Sequence, residues 1–362
     1  MDLDFHALRA FARTHGERRP EACDPFIEPY ARPTLDLFNA HARAVIAENG
    51  LSRLRRKGRV EAVEASDSAV TVHTGRETLA ADYLVLAVGR TELPARPPWA
   101  RGLSHPRILH VFDPDFTPDL LDSADAPVVV GGGVTAAQVA CHAAERSSRA
   151  VRMITRGSPV VEQFDSRPCF IGPRCLESFL ATKSSDDRRR FIEEARRPGT
   201  MPWDVGRALS EESRVATIED EVSDVEISGD TIRLHRADRE HGHGETVETD
   251  LVILATGFEK AVPLEPIIKE LSHRHELPRG PVGYPVPDRF LRWHPRVFVT
   301  GTLGELELGP AAPNIIGAHL AGRRLVPFFR SLNSGERTAH GGAAEPAEEI
   351  AWTALTRYLE TG

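Results

Sequence analysis

Three consecutive valines, Val128–Val130, run straight into Gly131-Gly132-Gly133-Val134-Thr135-Ala136, and a helical pattern follows to about Arg146. This feature constrains the fold most. A short all-apolar run before a glycine turn reads as a buried parallel strand, and the glycines then open a helix. Gly131 permits the tight turn. Gly133 leaves room for a pyrophosphate to approach the backbone. Ala136 lets helix and strand pack closely. The first turn of such a helix carries free N–H groups and partial positive charge, which suit an anionic ligand. The alternative is a strand-to-helix turn that holds no ligand.

The next strand, Ala150–Ile154, ends at Thr155-Arg156-Gly157. Dinucleotide sites specific for NAD place a carboxylate here for the ribose 2′-hydroxyl. Thr155 and Arg156 stand in its place. A guanidinium fork matches a phosphate, so this strand end reads as a site for NADP. The alternative for Arg156 is a solvated strand end.

Around this unit the chain alternates between helices and short strands. Thr34–Asn49 puts Leu35, Phe38, Ala42, Val45 and Ile46 on one helical face, with Gly50 as its C-cap. Strands are expected at Val60–Ala65, Ala69–His73, Tyr83–Leu86, Val215–Ile218, Val225–Ile227, Thr231–His235, Leu251–Leu254 and Val297–Thr300. Residues 160–215 read as a polar helical insert, and a helix is expected from about Asn314 to Val326. Ser331–Glu345 reads as a linker, with a terminal helix at Ala347–Glu360.

Two segments resemble each other: Asp82–Gly89 and Asp250–Gly257. Each is a short apolar strand ending in Ala-x-Gly, and one lies on either side of the Gly131 turn. The pair looks like the domain-crossing strands of two-dinucleotide-binding flavoproteins. Leu254-Ala255-Thr256-Gly257-Phe258 is similar to an element of flavin-dependent N-hydroxylases and related monooxygenases. A third segment, Val297–Gly304 followed by Gly309-Pro310 and Asn314–Gly322, resembles the strand, loop and helix that close their FAD site. There the helix end faces the flavin edge where negative charge collects on reduction. The resemblance covers roughly residues 30–330.

What the resemblance implies is an α/β chain with two Rossmann-like FAD/NAD(P)-binding domains, the first incomplete at its N-terminus. Residues 1–93 and 255–330 would form the discontinuous FAD-binding-like domain. Residues 94–254 would form the NADP-binding domain, and 331–362 the linker and terminal helix. The implied cofactor contacts are Gly89, Gly131, Gly132, Gly133, Thr135, Ala136, Thr155, Arg156, Thr256, Gly257, Gly301, Gly309, Pro310 and Asn314. The implied activity is an FAD- and NADPH-dependent oxidoreductase of monooxygenase type acting on a small nucleophile. A flavoprotein reductase without oxygenation, and a nicotinamide-binding remnant without FAD, are the alternatives. These flavoproteins open with a Gly-x-Gly-x-x-Gly unit that holds the ADP half of FAD, and no such motif precedes Gly131. The expectation is that an N-terminal segment is missing or has been lost. Relatives also place an Asp after the glycine of the closing strand, where Thr302 follows Gly301. Glu305 and Glu307 lie nearby with no assigned role.

The remaining chemistry is read by exclusion. A net charge of −8 argues against a general nucleic-acid surface. Arg53–Lys57 and Arg188–Arg190 read as solvated faces. No apolar run is long enough to span a membrane, and no signal-peptide core is seen at the start. The chain reads as cytoplasmic, with an oligomer left open. Of Cys23, Cys141, Cys169 and Cys175, none forms a Cys-x-x-Cys pair, which counts against a redox-disulfide reaction. The spacing of Cys169 and Cys175 allows a disulfide, but free thiols suit a reducing cytoplasm better. His110 reads as a surface or interdomain structural histidine. His241 and His243 lack a third metal ligand at the usual spacing.

Overall fold

The computed structural model describes residues 6–15, 25–28, 31–90, 93–170, 173–237 and 245–333. The first lobe runs α1 (Ala7–His15), β1 (Phe26–Ile27), β2 (Arg32–Pro33), α2 (Leu35–Glu48), β3 (Val60–Ala65), β4 (Val70–Thr74), β5 (Thr78–Ala81) and β6 (Leu84–Leu86). Thr34 caps α2, its hydroxyl accepting from the Leu37 N–H at 3.3 Å, and Gly50 follows in the left-handed region. Strands β3, β4 and β5 make an antiparallel meander.

The second lobe holds β7 (Ile108–His110), β8 (Val128–Val130), α3 (Val134–Arg146) and β9 (Val151–Thr155). An insert follows with β10 (Val160–Val161), α4 (Pro173–Ala181), α5 (Ser185–Ala195), β11 (Thr200–Met201) and α6 (Trp203–Glu211). Then come β12 (Val215–Glu219), the meander β13 (Val222–Ser228), β14 (Thr231–Arg236) and β15 (Thr246–Thr249), and β16 (Val252–Leu254). Its parallel sheet has the order β12-β9-β8-β16-β7, every neighbouring pair parallel.

Strand periodicity divides this sheet between two cores. Val129, Met153 and Ile253 face the alanine stripe Ala136, Ala140, Ala143 and Ala144 of α3. Val128, Val130, Ile154, Val252 and Leu254 face Val222, Ile232, Leu234 and Val247 of the meander. All three valines of β8 are buried, each worth about 1.5–3 kcal/mol against exposure. A sheet covered on both faces needs an uninterrupted apolar strand at its centre, and that is why the valine run exists.

The chain returns through α7 (Glu265–His275), β17 (Arg292–His294), β18 (Val297–Val299), α8 (Glu305–Leu308) and α9 (Ile315–Asn333). Here β18 pairs parallel with β6 and antiparallel with β17, giving a second sheet of three strands. The fold is thus two Rossmann-like α/β domains. Each is fed by an antiparallel meander that leads into a short strand ending in Ala-x-Gly. Between the domains the chain crosses twice, and the crossings bond to each other. The Ala95 N–H donates to the Gly257 carbonyl at 2.9 Å, and the Glu259 N–H to the Leu93 carbonyl at 2.8 Å.

Three expectations change. Cys169 and Cys175 form a disulfide, with Cα atoms 5.3 Å apart, and are not free thiols. Ser331–Asn333 belong to α9, so the helix extends past Val326 into the expected linker. The strands β1, β2, β5, β7, β10, β11, β15 and β17 go beyond the expected set. The expected helix Ala347–Glu360, and His241 and His243, lie outside the described residues.

Candidate functional site

The Gly131 turn is built by its neighbours. The Gly131 N–H donates to the Ile154 carbonyl at 2.9 Å, which ties the turn to β9. Gly131 has φ +148°, and a Cβ there would lie 2.3 Å from the Ala255 carbonyl oxygen and 3.2 Å from the Ala136 Cβ. Glycine is therefore demanded by backbone conformation and by the closeness of β16 and α3 together. A Cβ on Gly133 would meet the Gly199 Cα at 3.3 Å, so this glycine also makes room for the insert. Gly133 precedes α3 without any side-chain cap, leaving the first N–H groups of the helix free for an anion.

Thr155 and Arg156 take different roles. Thr155 is buried, its hydroxyl donating to the Gly157 carbonyl at 2.9 Å, and it fills the space above Gly132. It closes the turn from within. Arg156 is exposed at the strand end. Thr135 is half-buried on the first turn of α3, and Ala136 is fully buried beneath it.

The crossing residues are partly committed. The Thr256 hydroxyl donates to the Ala95 carbonyl and so joins the two crossings. Gly89 and Gly257 are both exposed in the left-handed region. His110, at the end of β7, is fully buried and is not a surface residue. Its Nδ1 accepts from the Phe112 N–H at 3.2 Å. Burial lowers its pKa, against Asp113, which raises it.

The second loop follows β18. Gly301 begins a 3₁₀ turn, α8 follows, and Gly309 lies at φ +83° with Leu176 and Phe179 of α4 set 3.2 and 3.3 Å from where its Cβ would be. Pro310 is buried, and its carbonyl accepts from Arg196 Nε at 2.9 Å. Asn314, just before α9, donates from its side chain to Asp165 at 3.1 Å.

Glu305 and Glu307 are explained by the insert. Glu305 is fully buried and pairs with Arg189, at 2.5 Å, and Arg196, at 2.7 Å. Glu307 pairs with Arg188 at 2.5 Å and Arg324 at 3.0 Å. Arg188 and Arg189 are therefore internal partners and not a solvated face; only Arg190 is exposed. The pairing was hidden because the acids lie 116 and 119 residues further along the chain.

The insert thus touches both loops. Gly199 lies on Gly133, while Leu176, Phe179, Arg196 and Asp165 hold the Gly309–Asn314 turn. It also packs on α3 through Met201 and Val205 against Ala137. Among the described residues no group of three or more His, Cys, Asp or Glu could hold a metal ion. No helix among them is long and apolar enough to cross a membrane.

This arrangement defines a class: a protein of two dinucleotide-binding domains with a helical insert across both. Residues 24–194 match the family model described as Pyridine nucleotide-disulphide oxidoreductase. No curated protein matches. Among solved structures, the ornithine N-hydroxylase of Kutzneria sp. 744 superposes with a TM-score of 0.66 at 17% identity, covering 91% of this chain and 83% of that one. The L-lysine 6-monooxygenase of Pseudomonas syringae gives 0.61 at 19%, covering 84% and 77%. The ornithine hydroxylase of Pseudomonas aeruginosa gives 0.59 at 20%, covering 79% and 75%. At these identities the superpositions show that the chain shares the fold of these enzymes.

Proposed function

We propose that this chain binds NADPH at the Gly131–Ala136 turn and serves a flavin-dependent oxidoreduction of monooxygenase type on a small nucleophilic substrate. The observation that carries the reading is the insert seated on both the Gly133 backbone and the Gly309 turn. A bridge of that kind is useful where two cofactors must be held face to face in a closed, water-poor space.

The residues fit a nicotinamide nucleotide. The uncapped first turn of α3 would hold the pyrophosphate, and Arg156, exposed at the end of β9, would donate to a 2′-phosphate. NADPH would supply a hydride there. A flavin dinucleotide fits only in part. The Gly301 and Gly309–Asn314 loops suit its flavin end; in the second sheet, among the described residues, β18 runs into the Gly301 turn but only a four-residue helix, α8, follows. No step is routed through the flavin. The solved neighbours are an ornithine N-hydroxylase, an ornithine hydroxylase and an L-lysine 6-monooxygenase, which makes a primary amine the first substrate to try.

A second reading is a nicotinamide-binding protein that holds no flavin. The visible spectrum of the purified chain decides between them. The bands of an oxidised flavin, with NADPH-driven oxygen uptake on adding ornithine or lysine, support the first reading. A colourless chain that takes up no added FAD and still binds NADPH overturns it in favour of the second.

A further inference from the structure

We propose that the Cys169–Cys175 disulfide is a redox-responsive clasp: reducing it loosens α4 from the Gly309 turn and weakens the bridge that the insert makes to the nicotinamide loop.

The clasp lies between two anchors on one turn. On one side, Asp165 accepts from Asn314, Ser166 pairs with Arg196, and Arg196 holds the Pro310 carbonyl. On the other, Leu176 and Phe179 of α4 cover Gly309. Cys169 sits in the 3₁₀ turn Pro168–Phe170, and Cys175 in the first turn of α4. Phe170 is buried edge-on against Phe191, which meets Phe179 in the same way. The disulfide therefore fixes the start of α4 relative to the aromatic core beneath it. With nine residues, α4 is too short to be stable alone and depends on such fixing.

The bond is also accessible. Both cysteines are half-buried, so a small thiol can reach them. Cys175 lies in the first turn of α4, where the positive end of the helix dipole favours a thiolate and makes its sulfur the better leaving group. The chemistry is thiol–disulfide exchange with a small thiol or dithiol. Its thiolate attacks the Cys169 sulfur, the S–S bond breaks, and the electron pair leaves on Cys175. A second thiolate then displaces Cys169. Two thiols are oxidised to one disulfide, and the protein gains two electrons and two protons as two cysteine thiols. Cys141, on α3, is a poor competitor because burial pushes its thiol pKa up. Breaking the cross-link returns chain entropy to the locally opened state, enough even for a loop this short to raise local opening about tenfold or more.

The test uses the full chain with and without dithiothreitol. Alkylation followed by peptide mass spectrometry should leave Cys169 and Cys175 unlabelled until reductant is added, and then label both. Hydrogen exchange over Pro173–Ala181 and Glu305–Pro310 should rise about tenfold on reduction, while β8 stays protected. The Cys169→Ser, Cys175→Ser double variant should exchange at the fast rate in either buffer. Labelling of both cysteines without reductant, or equal exchange in the two states, overturns the clasp. The nicotinamide arm rests on the function proposed above. NADPH affinity should fall several-fold on reduction, and unchanged affinity overturns the coupling. If neither state binds NADPH, the nicotinamide reading fails, while the exchange data still decide the clasp.

Discussion

Replacing Glu305 by alanine tests whether the insert is held by buried charge. Glu305 has no solvent exposure, and the Arg189 and Arg196 side chains are 9% and 19% exposed. Removing the carboxylate leaves both guanidiniums in place with their strongest partner gone. Arg189 keeps Glu193, a half-exposed acid at 3.0 Å, and Arg196 keeps the Pro310 carbonyl. Breaking a buried pair by removing one partner costs about 3–5 kcal/mol, because the surviving charge stays desolvated. The partial compensation argues for the lower end, about 3 kcal/mol. The assay is urea unfolding followed by tryptophan fluorescence, with Glu270→Ala as control. That residue pairs with Arg274 on the surface of α7, where a pair is worth about 0.3–0.5 kcal/mol. The Glu305 variant should unfold at clearly lower urea, and exchange should rise first in α5. A loss no larger than the control's would refute the idea that this network anchors the insert.

Further outcomes follow from the same geometry. Arg156→Ala should weaken NADPH binding about tenfold and NADH binding little, since one charge-assisted contact to a 2′-phosphate is lost; equal losses in parallel titrations would count against that contact. Gly131→Ala should cost about 2–4 kcal/mol in urea unfolding and abolish nucleotide binding, because its Cβ would lie 2.3 Å from the Ala255 carbonyl oxygen. A variant of normal stability would refute the packing argument. His110 and His294 are both lowered in pKa from 6.5 by burial. Their neutral forms are the native ones, so their contribution is complete above pH 6.5 and is lost as pH falls through the lowered values. Unfolding free energy measured across that range should decline with acid, and His110→Asn should flatten the decline.

What the sequence disclosed followed from local rules. The valine run, glycine turn and alanine-rich helix form one uninterrupted unit, so β8, α3 and β9 could be read directly. Thr34 and Gly50 marked the ends of α2 for the same reason. What it concealed depended on distant partners. Arg188 and Arg189 look like surface charges until α8 brings Glu307 and Glu305 to them. Gly133 suggested room for a ligand, and nothing nearby in the chain announces that Gly199 also needs the space. The commitment of Thr256 to Ala95 arises only when the two crossings pair. The spacing of Cys169 and Cys175 set no geometry by itself, and their bond depends on how the 3₁₀ turn and α4 meet.

The function proposed for this chain depends on NADPH binding at the Gly131 turn. Titrating the purified chain with NADPH and with NADH, by calorimetry at fixed ionic strength, tests it most directly. Binding should saturate at one site per chain and be about tenfold tighter for NADPH. Equal affinity for the two would contradict the role of Arg156, and no binding of either would contradict the account as a whole.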